Sequence, residues 1–444
     1  MTALPPLPTA PSVVHTVAPL PPSLTSRIGS SGYLEQPWLG RGLLMAGVLL
    51  ALLGIGAALL ARRRGRRVLP RLPGRVTGSL LGLMALLPLL AGAGVLVNSY
   101  VGYVPTLSAL LHGPDGAGAG KYASNVVAVD IASATARVRG PALVYLPPGY
   151  SDPRNAGRRY PVVYLMYGTP GRPQDWFLAG RVPQTMDLLL AGRYLGPMIV
   201  VSPTSSAGYW SDDECLDAPG RAQLEHYLSV DVVGAVDRTF RTLPDRDHRA
   251  IGGMSSGAFC SLNVGLHHLH RFSVILASAP YGDPGPGPLT GALHGDRPLW
   301  RANSPALYLP RWHFAARVAV FLDAGSRDRH ATGTSLRLAR QLADAGQSVV
   351  FRTVPGERHT WKEARAELPY ALVFAWRHFG AMGLGGSDAR DAAQFRSVLG
   401  AARALVVPAR QPARPTTVGH PQPCRAGCAS AAASNFRRVG DTPG

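Results

Sequence analysis

Two kinds of apolar pattern divide this chain. From residue 42 to residue 99 the hydrophobic positions run on without period. Gly42–Ala61 reads GLLMAGVLLALLGIGAALLA and Thr77–Ser99 reads TGSLLGLMALLPLLAGAGVLVNS, neither with a charge. About 20 apolar residues at 1.5 Å each cross a hydrocarbon core of about 30 Å. The two runs therefore predict two transmembrane helices, at about 42–61 and 77–99. Pro88 is tolerable inside the second, because neighbouring groups can satisfy the carbonyl it frees.

Beyond residue 122 the pattern changes. Apolar runs of strand length fall at Val126–Ile131, Ala142–Leu146, Pro161–Tyr167, Met198–Ser202, Arg249–Gly253, Val274–Ala277, Val318–Asp323 and Val349–Val354. Helical periodicities fall between them, at Gln184–Gly192, Gln223–Phe240, Ser256–His270, Ser335–Ala345 and Trp361–Phe379. This alternation predicts an α/β sheet, its first two strands a hairpin and the later ones parallel and buried. Four regions follow. Residues 1–38, rich in Pro, Ser and Thr, are expected to be disordered. Residues 42–99 form the hairpin and 122–380 the α/β domain. Residues 381–444 form a tail, with a helix near Ala389–Leu405 and disorder after it.

Charge adds a direction to the hairpin. Lys and Arg total 45 against 26 Asp and Glu, a formal net charge of +19, and the lysines are only Lys121 and Lys362. Seven arginines stand in RRRGRRVLPRLPGR, Arg62–Arg75, between the two apolar runs. Basic loops resist translocation, so this one is expected in the cytoplasm, with both chain ends and the α/β domain outside a cell membrane crossed twice. Residues 1–38 lack the basic start of a secretory signal. Nucleic acid is not an expected partner, because the densest basic run lies between membrane helices.

The four cysteines are Cys215, Cys260, Cys424 and Cys428. Outside the membrane disulfides can form. A Cys215–Cys260 bridge would tie a loop to the helix after Ser255, although spacing does not fix connectivity. Cys424 and Cys428 have no His or Cys neighbours that would suggest zinc. No metal and no cofactor is expected.

Candidate chemistry centres on IGGMSSGAFC, Ile251–Cys260, which contains G-x-S-x-G with Ser255 at its middle. The pattern alone is weak, but here it lies between a buried strand and a helix, the strand–turn–helix context it requires. Ser255 is the candidate nucleophile. The backbone N–H of Ser256, at the helix start, is a candidate oxyanion donor, with the N–H of Thr169 after the third strand as its partner. A serine needs a base to take its proton, and in this fold the order is Ser, acid, His. His359, in VPGERHTW, is the candidate base. FLDAGSRDRH offers Asp328 as the preferred acid and Asp323 as its rival.

Four segments, ALVYLPPGY, YPVVYLMYGTPG, GGMSSGAF and PGERHTW, resemble in sequence and order the esterase family of α/β-hydrolases. That family includes S-formylglutathione hydrolases, feruloyl esterases, enterochelin esterases and the mycobacterial mycolyltransferase antigens. The similarity is greatest to actinobacterial membrane-tethered members. It implies an α/β-hydrolase fold, a mostly parallel eight-stranded sheet with helices on both faces, and an acyl-enzyme mechanism on Ser255, Asp328 and His359. Many relatives carry His-Gly where this chain has Tyr167-Gly168. The implied substrate is an ester, with envelope lipids as a candidate class. The leading expectation is a membrane-tethered extracytoplasmic serine esterase; acyl transfer to a sugar or lipid hydroxyl and a non-catalytic binding role on a hydrolase scaffold are its alternatives.

Further positions bear on substrate. YWSDDECLDAPG gathers Asp212, Asp213, Glu214 and Asp217, which read either as a solvated acidic loop or, through Asp213 and Glu214, as a cation pocket. Trp300 and Tyr308 lie in an insertion over 280–312 that could cap the cleft, and Trp361 follows the candidate base. His267, His268 and His270 read as a solvated helix end rather than a metal site.

Overall fold

The computed structural model describes residues 19–64, 74–112, 125–211, 213–284, 293 and 295–381. The arginine-rich link over 65–73, the helix expected near 389–405, and Cys424 and Cys428 lie outside them.

All eight strands expected from the apolar runs are present. They are β1 Asn125–Ser133, β2 Val138–Leu146, β3 Val162–Met166, β4 Ile199–Pro203, β5 Arg249–Met254, β6 Val274–Ser278, β7 Ala319–Gly325 and β8 Ser348–Val354, in the spatial order β1-β2-β4-β3-β5-β6-β7-β8. β1 and β2 form the expected antiparallel hairpin, with Asn125 opposite Leu146. β2 is also antiparallel to β4. The sheet is therefore mixed at this end and parallel from β4 through β3 to β8.

Strand periodicity divides the buried residues between two faces. Val162, Tyr164 and Met166 of β3 join one core, and Val163 and Leu165 join the other. The first core is closed by a helix that runs α7 Leu224–His226, a π-helical turn Tyr227–Val232, and α8 Val233–Thr239, and by α9 Ser256–His267 and α12 Arg329–Asp344. The second is closed by α5 Gln174–Leu178, α6 Val182–Ala191 and α13 Trp361–Ala381. α12 shows why such a segment becomes helical. Ala331, Thr334, Ser335, Leu338 and Leu342 are buried at helical spacing, and Asp328 accepts from Ala331 N as the N-cap. Each fully buried side chain such as Leu338 contributes roughly 1.5–3 kcal/mol relative to exposure.

The long apolar runs form α2 Pro37–Arg63, of 27 residues, and α3 Gly74–Val101, of 28. Each is roughly 40 Å long. They lie against each other at small residues. A Cβ added at Gly92 would stand 2.8 Å from the carbonyl oxygen of Gly40, so the backbones nearly touch. Their outer faces expose Leu49, Leu53, Leu87 and Leu90. Both helices are long and apolar enough to cross a membrane.

One expectation needs correction. The segment 1–38, expected to be disordered, is ordered where it is described. Pro22–Gly29 forms α1, and Leu20, Leu24 and Ile28 are buried in the second core. An isolated helix of this length is unstable in water. Its packing on α6 and α13 supplies what its local sequence does not advertise. After α3, a short helix α4, Leu107–His112, completes the N-terminal part. The cap region contains α10 Arg297–Ala302 and α11 Pro305–Tyr308.

Candidate active site

Ser255 sits between the end of β5 and the start of α9, with φ 58° and ψ −121°. A non-glycine residue held there is strained, and such strain persists only where the surroundings enforce it. Glycines on either side make the turn possible. A Cβ at Gly253 would stand 2.2 Å from the carbonyl oxygen of Gly257, and one at Gly257 would stand 2.3 Å from that of Met166. The backbone N–H of Ser255 donates to the carbonyl of Ser278 on β6 at 3.0 Å. The corner is thus pinned from both sides.

Two distant loops meet it. His359 Nε2 lies 2.8 Å from Ser255 Oγ, and His359 Nδ1 lies 2.8 Å from Asp328 Oδ2. The other oxygen of Asp328 accepts from Ala331 N at 3.0 Å, which orients the carboxylate. An ionised carboxylate can only accept, so Nδ1 carries the ring proton and Nε2 is left to accept from the serine. The side chain of Asp328 is 14% exposed and that of His359 41%, so the imidazole is the solvent-accessible member of the pair.

Asp323, the rival acid, is elsewhere. It lies within β7, 1% exposed. Its Oδ1 accepts from Ser278 Oγ at 2.8 Å, and the same hydroxyl lies 3.2 Å from both carboxyl oxygens of Glu363 on α13. Burial raises Asp323 above the usual carboxylate range. Burial, and then the charge of Asp323, pushes Glu363 well above its own, so Glu363 is the partner that keeps a proton.

Thr169 and Ser256 come together. Their hydroxyls lie 2.9 Å apart. A Cβ at Gly168 would stand 3.2 Å from Ser255 Cβ, so the loop after β3 runs directly beside the nucleophile. Tyr167, which stands where many relatives carry His, supports that loop. Its hydroxyl accepts from Ser205 N at 3.0 Å and lies 3.1 Å from Ser206 Oγ, which braces that loop against the one after β4. A buried tyrosine at a strand end was the available signal, since its hydroxyl must find partners.

Beside Ser256 is a small pocket whose wall includes Thr169, Ser206, Asp213 and Glu214. Both carboxylates are already engaged. Asp213 Oδ2 accepts from Ala207 N at 2.7 Å and Oδ1 lies 3.6 Å from Arg221, while Glu214 accepts from Tyr281 at 2.5 Å. Asp212 lies outside the described residues. Cys215 and Cys260 are disulfide-bonded, which ties this loop to α9 as the sequence suggested. Trp300 is half-buried against Leu216 and Phe259. Trp361 does not line the mouth: it is 7% exposed and packs edge-to-face on Trp176, so its expected substrate contact is replaced by a core one.

Among the described residues no cluster of His, Cys, Asp or Glu is arranged to hold a metal ion. His267 and His268 instead both bond Glu225, each at 2.9 Å. Burial raises Glu225, but the bonds and charges of the two histidines outweigh it and hold the carboxylate at about 2.

Comparison with known proteins gives the chain a family. The Esterase family model matches residues 133–375, more than half of the chain. An uncharacterized protein of Corynebacterium glutamicum is 29% identical over 244 residues, covering 53% of this chain and 56% of that protein. An esterase of Mycobacterium tuberculosis is 30% identical over 135 residues, covering 29% of this chain and 26% of its own length. This chain thus spans little more than half of the first relative and about a quarter of the second. Among solved structures, a ferulic acid esterase matches with a TM-score of 0.51 at 25% identity, covering 59% of this chain and all of that one.

Proposed function

The chain belongs to the Esterase family of ester hydrolases, and from that premise we propose a membrane-tethered, extracytoplasmic serine esterase acting through Ser255, His359 and Asp328. The observation that carries the reading is the relay of two 2.8 Å contacts that ends on a strained serine at a strand–helix corner.

In this mechanism Ser255 Oγ attacks the ester carbonyl carbon while His359 Nε2 takes the hydroxyl proton. Asp328 holds the Nδ1–H and stabilises the imidazolium. The tetrahedral oxyanion is met by the backbone N–H groups of Ser256, at the start of α9, and Thr169. Collapse breaks the bond to the alcohol oxygen, which leaves with the proton from His359. Water then attacks the acyl-enzyme with His359 again as base, releasing the acid and restoring Ser255.

Membrane tethering is supported by α2 and α3, two long, outwardly apolar helices that pack on each other, and by the arginines between them. The domain over 122–380 would lie outside, carried by the hairpin over 42–99, with both termini on that side. Asp213 and Glu214 line the small pocket but are engaged by Arg221 and Tyr281, so they do not by themselves select an acyl group bearing an ammonium.

A fluorophosphonate tests the central claim. It is expected to label the full-length protein and not Ser255→Ala, and absence of labelling in the parent protein would retire the mechanism. Product analysis with neutral and aminoacyl lipid esters, with and without a sugar acceptor, separates free acid from acylated acceptor. Acylated acceptor would reassign the activity to acyl transfer.

A further inference from the structure

The outer end of the hairpin is bolted to the very elements that carry the site. Glu35, buried just before α2, accepts from Gly32 N at 2.8 Å and pairs with Arg181 and Arg365, each at 3.0 Å. All three charged side chains are buried. A pair so buried contributes orientation more than stability, because desolvation offsets much of its attraction. Asn98 of α3 donates to Leu34 O and Val104 O, and Lys362 donates to Ser99 O. Lys362 and Arg365 belong to the first turns of α13, directly after His359. The site therefore has one orientation relative to the hairpin.

A second chain of contacts shows what that orientation brings to the membrane. α3 ends at Val101, and Tyr103, two residues on, donates to Asp175. The other oxygen of Asp175 accepts from Arg172 N at 2.9 Å. The guanidinium of Arg172 lies 4.5 Å from the centre of the Tyr209 ring, and Tyr209 stands edge-to-face with Trp210 at 5.0 Å. Tyr209 O in turn accepts from Gly171 N, two residues after Thr169. Trp210 is 73% exposed. Tyrosine, tryptophan and arginine are the residues that settle at the headgroup layer, which is about 5–8 Å deep on each side of the hydrocarbon. Leu107, Leu110 and Leu111 of α4 are also exposed, immediately beyond the helix exit.

Resting on the membrane-tethered esterase reading above, we propose that the Tyr209–Trp210 rim, with Arg172, seats in the outer headgroup layer. The mouth over Ser255 then opens onto the bilayer and draws its substrate, a lipid-borne ester, from the outer leaflet.

The test uses the full-length protein in phosphatidylcholine–phosphatidylglycerol vesicles. The tryptophan emission lost in Trp210→Phe is expected to be quenched by headgroup-nitroxide phosphatidylcholine and shielded from aqueous iodide. Quenching by iodide with no effect of the nitroxide lipid would overturn the docking. The Tyr209→Ala/Trp210→Ala variant is expected to lose roughly tenfold more activity on a long-chain ester held in the vesicle than on a short-chain ester in solution, about one decade of rate. Equal losses on the two esters would overturn substrate supply from the leaflet. Fluorophosphonate labelling in the same vesicles keeps the two claims apart. Without labelling the hydrolase reading falls, and lipid-ester supply with it, while the quenching still decides whether the rim touches the membrane.

Discussion

Asp323 and Asp328 stand five residues apart on one strand-and-loop segment, and they do opposite things. Asp323 is inside β7, sealed among β6 and α13, sharing the Ser278 hydroxyl with a protonated Glu363. Asp328 is past the strand, at the N-terminus of α12, with one oxygen on the helix and the other on His359. The buried acid has partners that hold protons and stay put. The loop acid meets an imidazole whose other nitrogen lies against Ser255 Oγ. A carboxylate's role is thus set by what its second oxygen meets, and by how far along the strand it lies.

Three measurements would break or sharpen this contrast. The largest effect is expected at the loop acid. Asp328→Asn should lower kcat/KM by about 10²–10⁴-fold, because the amide no longer enforces the tautomer in which Nε2 accepts. Asp323→Asn, which keeps hydrogen bonds to Ser278 and Glu363, should lower it by less than about tenfold. Similar losses in steady-state ester hydrolysis would erase the distinction.

Next is the buried pair. Glu363→Leu removes the proton that Asp323 faces and should cost about 1–3 kcal/mol of stability, whereas Glu363→Gln retains a donor and should cost less than about 1 kcal/mol. Unfolding midpoints in detergent compare the two, and equal costs would mean that volume rather than hydrogen bonding matters there.

The smallest effect is in pH. Burial, and then the charge of Asp323, raises Glu367 to about 7, against the pull of Arg352. Its ordinary value is 4.5, so between the two the folded protein binds more protons than the unfolded chain. Stability from this group is complete below 4.5 and is lost as pH rises through about 7. The midpoint should fall by about 2–4 °C between pH 5 and pH 8 on this account, and Glu367→Gln should reduce the slope. An unchanged slope in the variant would place the dependence at another group of the cluster.

Much of this architecture is legible along the chain, for a local reason. Strand and helix periodicities depend on neighbouring residues, so all eight strands appear near their expected positions. The corner at Ser255 is likewise announced by Gly253 and Gly257, whose close backbone contacts exclude a side chain. The order Ser, Asp, His is the one that the resemblance to the α/β-hydrolases implies. The α1 segment fails as a local reading, because its order comes from α6 and α13, far along the chain. Glu35 finds a partner 330 residues away in Arg365, which no window of sequence contains.

What the sequence determined alone is therefore the eight strands, the longer helices between them, the sharp turn that lifts Ser255, and the two apolar helices, since each is written in the spacing of adjacent side chains. Tertiary structure decided which aspartate meets His359, why Trp361 is core and not pocket, how β2 turns antiparallel to β4, and that Glu35 pairs with Arg181 and Arg365. Those outcomes depend on register and on contacts between segments far apart in the chain, and burial assigns their energies only once the layers have closed.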